Sequence, residues 1–293
     1  MEYREFGNTG LKVSAIGLGT THLGKPTFSD QEAEKLLNTT VDLGVTLIDT
    51  AKAYGNAEQR IGKFLSHRRN EIIISSKAGK DGDWVADFSY QSILSDIDRS
   101  LKLLKTDHID IFHLHSCSKE ELEKGEAIRA LEKAKELGKI RVMAYSGENE
   151  ALTYALSTGR FDSIQCSVNI CDQRVIDDQI PQAEKQGLGI IAKRPLANAP
   201  WRYDAPPIGH YSAAYWHRLK KMKIDPHGLD WSELALRFSA FTEGVSSCIT
   251  GTRNIDHLQE NIRAIEKGPL SSELIHHIRF EFSNNDDQWI GLV

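Results

Sequence analysis

A unit that repeats along the whole chain limits its fold more than any other feature: a helix-capping signal, an amphipathic stretch, a glycine, then a short apolar run. The clearest copy starts at Ser29, and Glu32 three residues later completes the spacing of a capping box. Ala33, Leu36, Leu37 and Val41 then fall on one helical face, Gly44 supplies a stop, and residues 45–48 read as a buried strand. A second copy opens with Ser118 and Glu121. It carries Leu122, Ile128, Leu131 and Leu137, and passes through Gly138 into an apolar run over residues 140–146.

Eight such runs stand at residues 13–19, 45–48, 72–76, 109–114, 140–146, 161–168, 188–192 and 245–250. Helical patterns separate nearly all of them, and strict alternation of strand and helix implies parallel strands joined by right-handed crossovers. Eight units in 293 residues predict an α/β fold, a single (β/α)8 TIM barrel domain over residues 1–293, with an open doubly wound sheet as the structural alternative. Ahead of the first run, residues 3–6 and 12–13 flank Gly7-Asn8-Thr9-Gly10, which predicts a β-hairpin closing one end of the barrel. The long segment from Pro195 to Asp230 holds Trp201, Tyr203, Tyr211, Tyr215 and Trp216. It reads equally as a cover over the active face and as a helix packed on the outside.

Composition removes several partners. The net charge of -5 and the lack of a dense Lys or Arg block argue against nucleic acid. No apolar stretch approaches the roughly 18 residues of a membrane span, and Met1-Glu2-Tyr3-Arg4-Glu5 lacks a signal peptide's apolar core, so a cytoplasmic protein is expected. Cys117, Cys166, Cys171 and Cys248 form no Cys-x-x-Cys pair, which predicts reduced thiols rather than zinc ligands or disulfides. A monomer is the default.

A barrel assembles its site at the C-terminal ends of its strands. Asp49, Lys77 and His115 end the second, third and fourth runs, and Tyr54 follows Asp49 on a short loop before a helix whose start Asn56 and Gln59 mark as a capping box. A phenol, with a reference pKa of about 10, is a poor acid at neutral pH unless an ammonium stabilises the phenolate. Lys77 supplies that charge, and Asp49 keeps it oriented.

These residues carry a resemblance to the aldo-keto reductases that spans nearly the whole chain. It runs from Gly7-Asn8-Thr9-Gly10-Leu11-Lys12-Val13-Ser14 through Asp49-Thr50-Ala51, Tyr54-Gly55, Lys77, the stretch from Asp110 to His115, and Gly138-Lys139-Ile140-Arg141. Gln165 to Asn169, Ala192 to Leu196 and Gly251 to Asn261 extend it. The resemblance implies an NADP(H)-dependent oxidoreductase, with NAD(H) as the alternative cofactor, acting on a small carbonyl or alcohol. Tyr54 is then the general acid or base, Lys77 and Asp49 tune it, and His115 orients the carbonyl.

By the same resemblance Gly19, Thr20, Thr21, Asp49, Ser146 and Gln165 hold the nicotinamide, and Gln165 both donates to and accepts from its carboxamide. Lys193 or Arg194, followed by Pro195 and Leu196, stands where an aromatic residue usually stacks on the ring. Gly251, Thr252 and Arg253 meet the adenosine 2′-phosphate, and Glu260 and Asn261 the adenine. The chain departs from the family pattern in having Gly147, not Asn, after Ser146, and His257 where better-known members often carry Arg.

Rival readings exist. Gly17-Leu18-Gly19 is no Rossmann fingerprint, since His22 takes the place of the third glycine. His113 and His115 put two imidazoles on one strand face, as a metal-dependent barrel hydrolase requires, with Asp49 and Lys77 to complete a site. Against this, no later run ends in His, and His113 reads better as a hydrogen-bonded group of the interior. A protein that binds NADP without turnover is the third class; the presence of all four catalytic residue types argues against it. Trp84 either touches substrate or caps the barrel.

Overall fold

The computed structural model describes residues 1–210 and 212–292. An antiparallel hairpin, β1 (Tyr3–Glu5) and β2 (Lys12–Ser14), precedes eight parallel strands: β3 (Ile16–Gly19), β4 (Leu47–Asp49), β5 (Ile73–Ala78), β6 (Ile109–His115), β7 (Ile140–Ser146), β8 (Ser163–Ser167), β9 (Gly189–Lys193) and β10 (Ser247–Gly251). They pair in chain order, and β10 returns to β3 in the register Cys248↔Ile16 to Gly251↔Gly19, which closes the barrel and removes the open-sheet alternative. Each predicted run contains or overlaps one barrel strand, and the first also takes in the end of β2. Lys77 and His115 lie inside β5 and β6, which extend past the apolar residues that signalled them.

The helices around the barrel are α1 (Asp30–Asp42), α2 (Ala57–Leu65), α3 (Tyr90–Leu104), α4 (Lys119–Lys124), α5 (Glu126–Glu136), α6 (Asn149–Ser157), α7 (Gln179–Lys185), α8 (Ser212–Lys221), α9 (Trp231–Ala240), α10 (Ile255–Glu266) and α11 (Ser272–Asn285). Helix α1 forms as its sequence directs. Ser29 and Glu32 make the reciprocal capping box, and Ala33, Leu36, Leu37 and Val41 are buried, each Leu contributing about 1.5–3 kcal/mol. Helix α2 departs from expectation, because Asn56 makes no side-chain cap. Its backbone (φ -86°, ψ 10°) is not extended, and only an extended N-cap turns its side chain back onto the first turn.

The hairpin closes the N-terminal end of the barrel. Phe6, Leu11 and Val13 pack with Leu47, Ile111, Val142, Ala144 and Ile191 from the strands, and Asn8 N–H donates to Gly187 O at 2.7 Å. The aromatic segment after β9 resolves into a second core at the opposite rim. Tyr215 on α8 is buried with Leu234 and Phe238 of α9, Leu274 and Ile278 of α11, and Ile170, Cys171 and Ala197 from the loops after β8 and β9. Trp201 stacks on Trp231 at 5.9 Å, and Trp216 Nε1 donates to Tyr203 O, so these rings are packing groups; Tyr211 lies outside the described residues. Among the described residues no helix is long and apolar enough to cross a membrane.

Candidate active site

Side chains two apart on a strand share a face, so Ser75 with Lys77 and His113 with His115 point together into the barrel. Register places them level with one another: Asp49 sits opposite Gly19 and Ser75, Lys77 opposite His113, and Ser146 between His115 and Gln165. The result is one continuous buried network. Lys77 Nζ donates to Asp49 Oδ2 at 2.6 Å and to Thr50 O at 2.8 Å. Asp49 Oδ1 accepts from Ser75 Oγ and from Gln165 Nε2, both at 2.9 Å, and Gln165 Oε1 accepts from Ser146 Oγ at 3.0 Å.

The tautomer of His113 follows from this network. A carboxylate only accepts, so Ser75 spends its single O–H on Asp49, and the contact of 3.0 Å from Ser75 Oγ to His113 Nε2 requires the imidazole to donate. Burial, then the charge of Lys77, holds His113 well below the usual imidazole pKa. Thus His113 is a hydrogen-bonded interior group. Among the described residues no three His, Cys, Asp or Glu side chains converge as metal ligands.

Tyr54 reaches the same place from the loop between β4 and α2. Its backbone is set by a close approach: a Cβ on Gly24 would stand 1.7 Å from Tyr54 O, so only glycine lets the two segments meet. Lys77 Nζ lies 5.3 Å from the centre of the Tyr54 ring. The Tyr54 ring stands edge-on to His115 at 5.9 Å, and the Trp84 ring lies 5.4 Å from the same imidazole. His115 is buried, its Nδ1 has no partner, and burial with the Lys77 charge keeps it neutral. Asp49, Tyr54, Lys77 and His115 are therefore brought together at the C-terminal mouth.

The residues assigned to a dinucleotide fall into two groups. Leu196, Gly251, Thr252, His257, Glu260 and Asn261 line one cavity of about 570 Å³, a size that suits a nucleotide. Arg202, Arg263 and Lys267 also line it, whereas Arg253 does not. Its guanidinium reaches Thr27 O at 3.2 Å and lies 5.0 Å from the Phe28 ring. Gly19, Thr20, Asp49, Ser146 and Gln165 form the second group beside Tyr54, with Thr21 in the turn that follows Thr20.

Lys193 and Arg194 are drawn to Glu148, which the sequence did not single out. Lys193 Nζ lies 3.1 Å from Glu148 Oε1, which also accepts from Ser167 N and Oγ. Arg194 donates to Ser167 Oγ at 3.0 Å and to Leu292 O of the C-terminal tail. The glycine after Ser146 has a steric cause, since a Cβ at Gly147 would stand 2.3 Å from Tyr145 Oη, and an Asn there has no room. Ser75 was legible in principle, two residues before Lys77 on a strand. Glu148 gave no signal.

The chain is similar to known proteins over nearly its whole length. The model of the aldo/keto reductase family matches residues 15–279. L-galactose dehydrogenase of Arabidopsis thaliana is 29% identical over 282 residues, covering 90% of this chain and 88% of that one. L-glyceraldehyde 3-phosphate reductase of Escherichia coli is 26% identical, covering 95% and 91%. Among solved structures, the holo form of an aldo-keto reductase from Bacillus halodurans superposes with a TM-score of 0.85 at 28% identity, covering 96% of each chain.

Proposed function

Since the chain belongs to the aldo/keto reductase family, and is thereby an oxidoreductase of carbonyl and alcohol groups, we propose that it couples NADP(H) to an aldehyde or ketone with Tyr54 as the proton-transfer residue. One observation carries this reading: a buried ammonium, Lys77, is fixed by Asp49 and Thr50 beside the ring of Tyr54. A bound nicotinamide dinucleotide supplies the hydride. In the reducing direction the Tyr54 hydroxyl gives its proton to the carbonyl oxygen, where negative charge develops. The charge left on the phenol is balanced by the Lys77 ammonium, 5.3 Å from the centre of the ring. His115, held neutral, offers a hydrogen bond to the same oxygen without adding a charge that competes with the proton donor.

The residues present fit the cofactor. The cavity beside α10 takes the adenosine, with Glu260 and Asn261 toward the base and Gly251, Thr252 and His257 toward the ribose. Arg202 and Arg263 supply positive charge for a 2′-phosphate, with Arg253 as a further candidate from the end of β10. At the mouth, Gly19, Thr20, Thr21, Ser146 and Gln165 flank the nicotinamide, with Lys193, Arg194, Pro195 and Leu196 forming the opposite side. Gln165 already bridges Ser146 and Asp49, so it ties the carboxamide position to the catalytic network.

The test is consumption of NADPH with a panel of aldehydes. Tyr54→Phe is expected to lower kcat/KM by roughly 100- to 10,000-fold while NADPH still quenches protein fluorescence with parental affinity. A Tyr54→Phe protein as active as the parent refutes the assignment. Cofactor that binds but is never consumed selects the non-catalytic binding protein.

A further inference from the structure

The loop between β5 and α3 is built to hold two side chains over the mouth. Lys80 and Ala86 pair as an antiparallel bridge, Asp81 N–H donates to Val85 O, and Trp84 N–H donates to Asp81 O. Asp81 Oδ1 accepts from the N–H groups of Asp83 and Val85, at 3.0 and 2.9 Å. Trp84 adopts φ +62°, a conformation costly for a bulky residue, and this turn holds its ring 5.4 Å from that of His115 with over half of its surface exposed.

Lys80 Nζ stands 5.8 Å from the centre of the Trp84 ring. Its neighbours around the mouth are neutralised: Lys52 by Asp96 at 2.6 Å, Lys77 by Asp49 at 2.6 Å, and Lys193 by Glu148 at 3.1 Å. Among the described residues Lys80 has no carboxylate within 4 Å. Of the three acids in its own loop, Asp81 caps its turn, Asp87 Oδ1 accepts from Ser89 N, and Asp83 makes no ion pair with Lys80 within 4 Å. Burial lowers the Lys80 pKa, and its charge adds to those that keep His115 neutral. A partly buried ammonium without a counter-charge is an unmet electrostatic demand beside the reacting centre.

We propose, resting on the reductase reading above, that the substrate is a short aldehyde or ketone bearing a second, anionic group, a carboxylate or a phosphate. Lys80 pairs with that group, and Trp84 is the wall between it and the carbonyl held by Tyr54 and His115. Lys80 is a specificity residue. It acts on the part of the substrate that does not react, and it sets which aldehydes dwell at the site.

The test compares kcat/KM, with NADPH, for succinic semialdehyde against butanal and for glyceraldehyde 3-phosphate against glyceraldehyde. The parent is expected to favour the charged member of at least one pair by roughly tenfold or more, and the pair that responds identifies the anion. Lys80→Met brings that ratio close to one, and Lys80→Arg retains most of it. Raising ionic strength lowers the ratio in the parent, which reads the same charge without any substitution. A parental ratio near one, or a ratio that survives Lys80→Met, overturns the assignment and leaves the reductase reading standing, because neutral aldehydes are still consumed. No NADPH consumption with any of the four compounds overturns the reductase reading and this inference with it.

Discussion

Replacing Lys77 by Met tests the central pair of the site by stability alone. Lys77 Nζ and Asp49 Oδ2 are 2.6 Å apart, and each side chain is 2% exposed. At that distance, with an effective dielectric constant of about 20, the attraction is roughly 6 kcal/mol, much of it offset by the cost of removing both charges from water. Lys77→Met leaves the Asp49 carboxylate buried with only Ser75 and Gln165 as donors, and is expected to cost about 3–5 kcal/mol. Asp49→Asn in that background removes the stranded charge while its Oδ1 still accepts from both donors. The double variant should therefore recover stability relative to Lys77→Met, with a coupling energy of about 2 kcal/mol or more. Urea unfolding followed by tryptophan fluorescence measures all four corners of the cycle. Additivity within about 0.5 kcal/mol, or a loss below about 1 kcal/mol for Lys77→Met, refutes the view of the pair as a tightly coupled buried unit.

Gly24→Ala forces the Tyr54 loop outward, because the new Cβ meets Tyr54 O at 1.7 Å; turnover should fall by roughly 100-fold while NADPH affinity changes far less, and unchanged kcat would show that the loop position is irrelevant. Arg263→Ala should reduce discrimination between NADPH and NADH by roughly tenfold, as should Arg253→Ala, and parental ratios in both would remove the charge-based account of the 2′-phosphate. Burial, then the charge of Glu148, raises the carboxyl of Asp172 from 3.8 to about 6. Between these values the folded chain holds a proton that the unfolded chain has released, so stability falls as pH rises through the window, by at most about 3 kcal/mol. Asp172→Asn should flatten the slope of Tm against pH from about 4 to 6, and a slope equal to the parent's contradicts the shift.

The barrel was legible because each unit carries its own punctuation. Ser29 with Glu32 is a local device that works regardless of the rest of the chain, and the apolar runs differ in length and composition from the helices between them. The convergence of Asp49, Lys77 and His115 was legible for a related reason: polar residues at the ends of apolar runs have no structural justification there, and Tyr54 was found only by following the loop after Asp49. Other features depended on distant contacts. Asn56 failed as a cap because the Tyr54 loop, pressed against Gly24, leaves it a backbone that is not extended, and nothing around residue 56 announces that approach. Glu148 matters because Lys193 and Arg194, more than forty residues away, turn toward it, and Arg253 turns toward Thr27, distant in sequence but on the loop after the neighbouring strand. Spacing along the chain carries no information about such pairings.

The hairpin beneath the strands has a kinetic corollary. With Phe6 and its neighbours packed across the floor, that end of the barrel gives no access to the buried polar network, and small molecules can meet it only at the strands' other end. On the proposed chemistry the compound nearest the opening, beside Trp84, is exchanged first, while whatever lies deeper waits its turn.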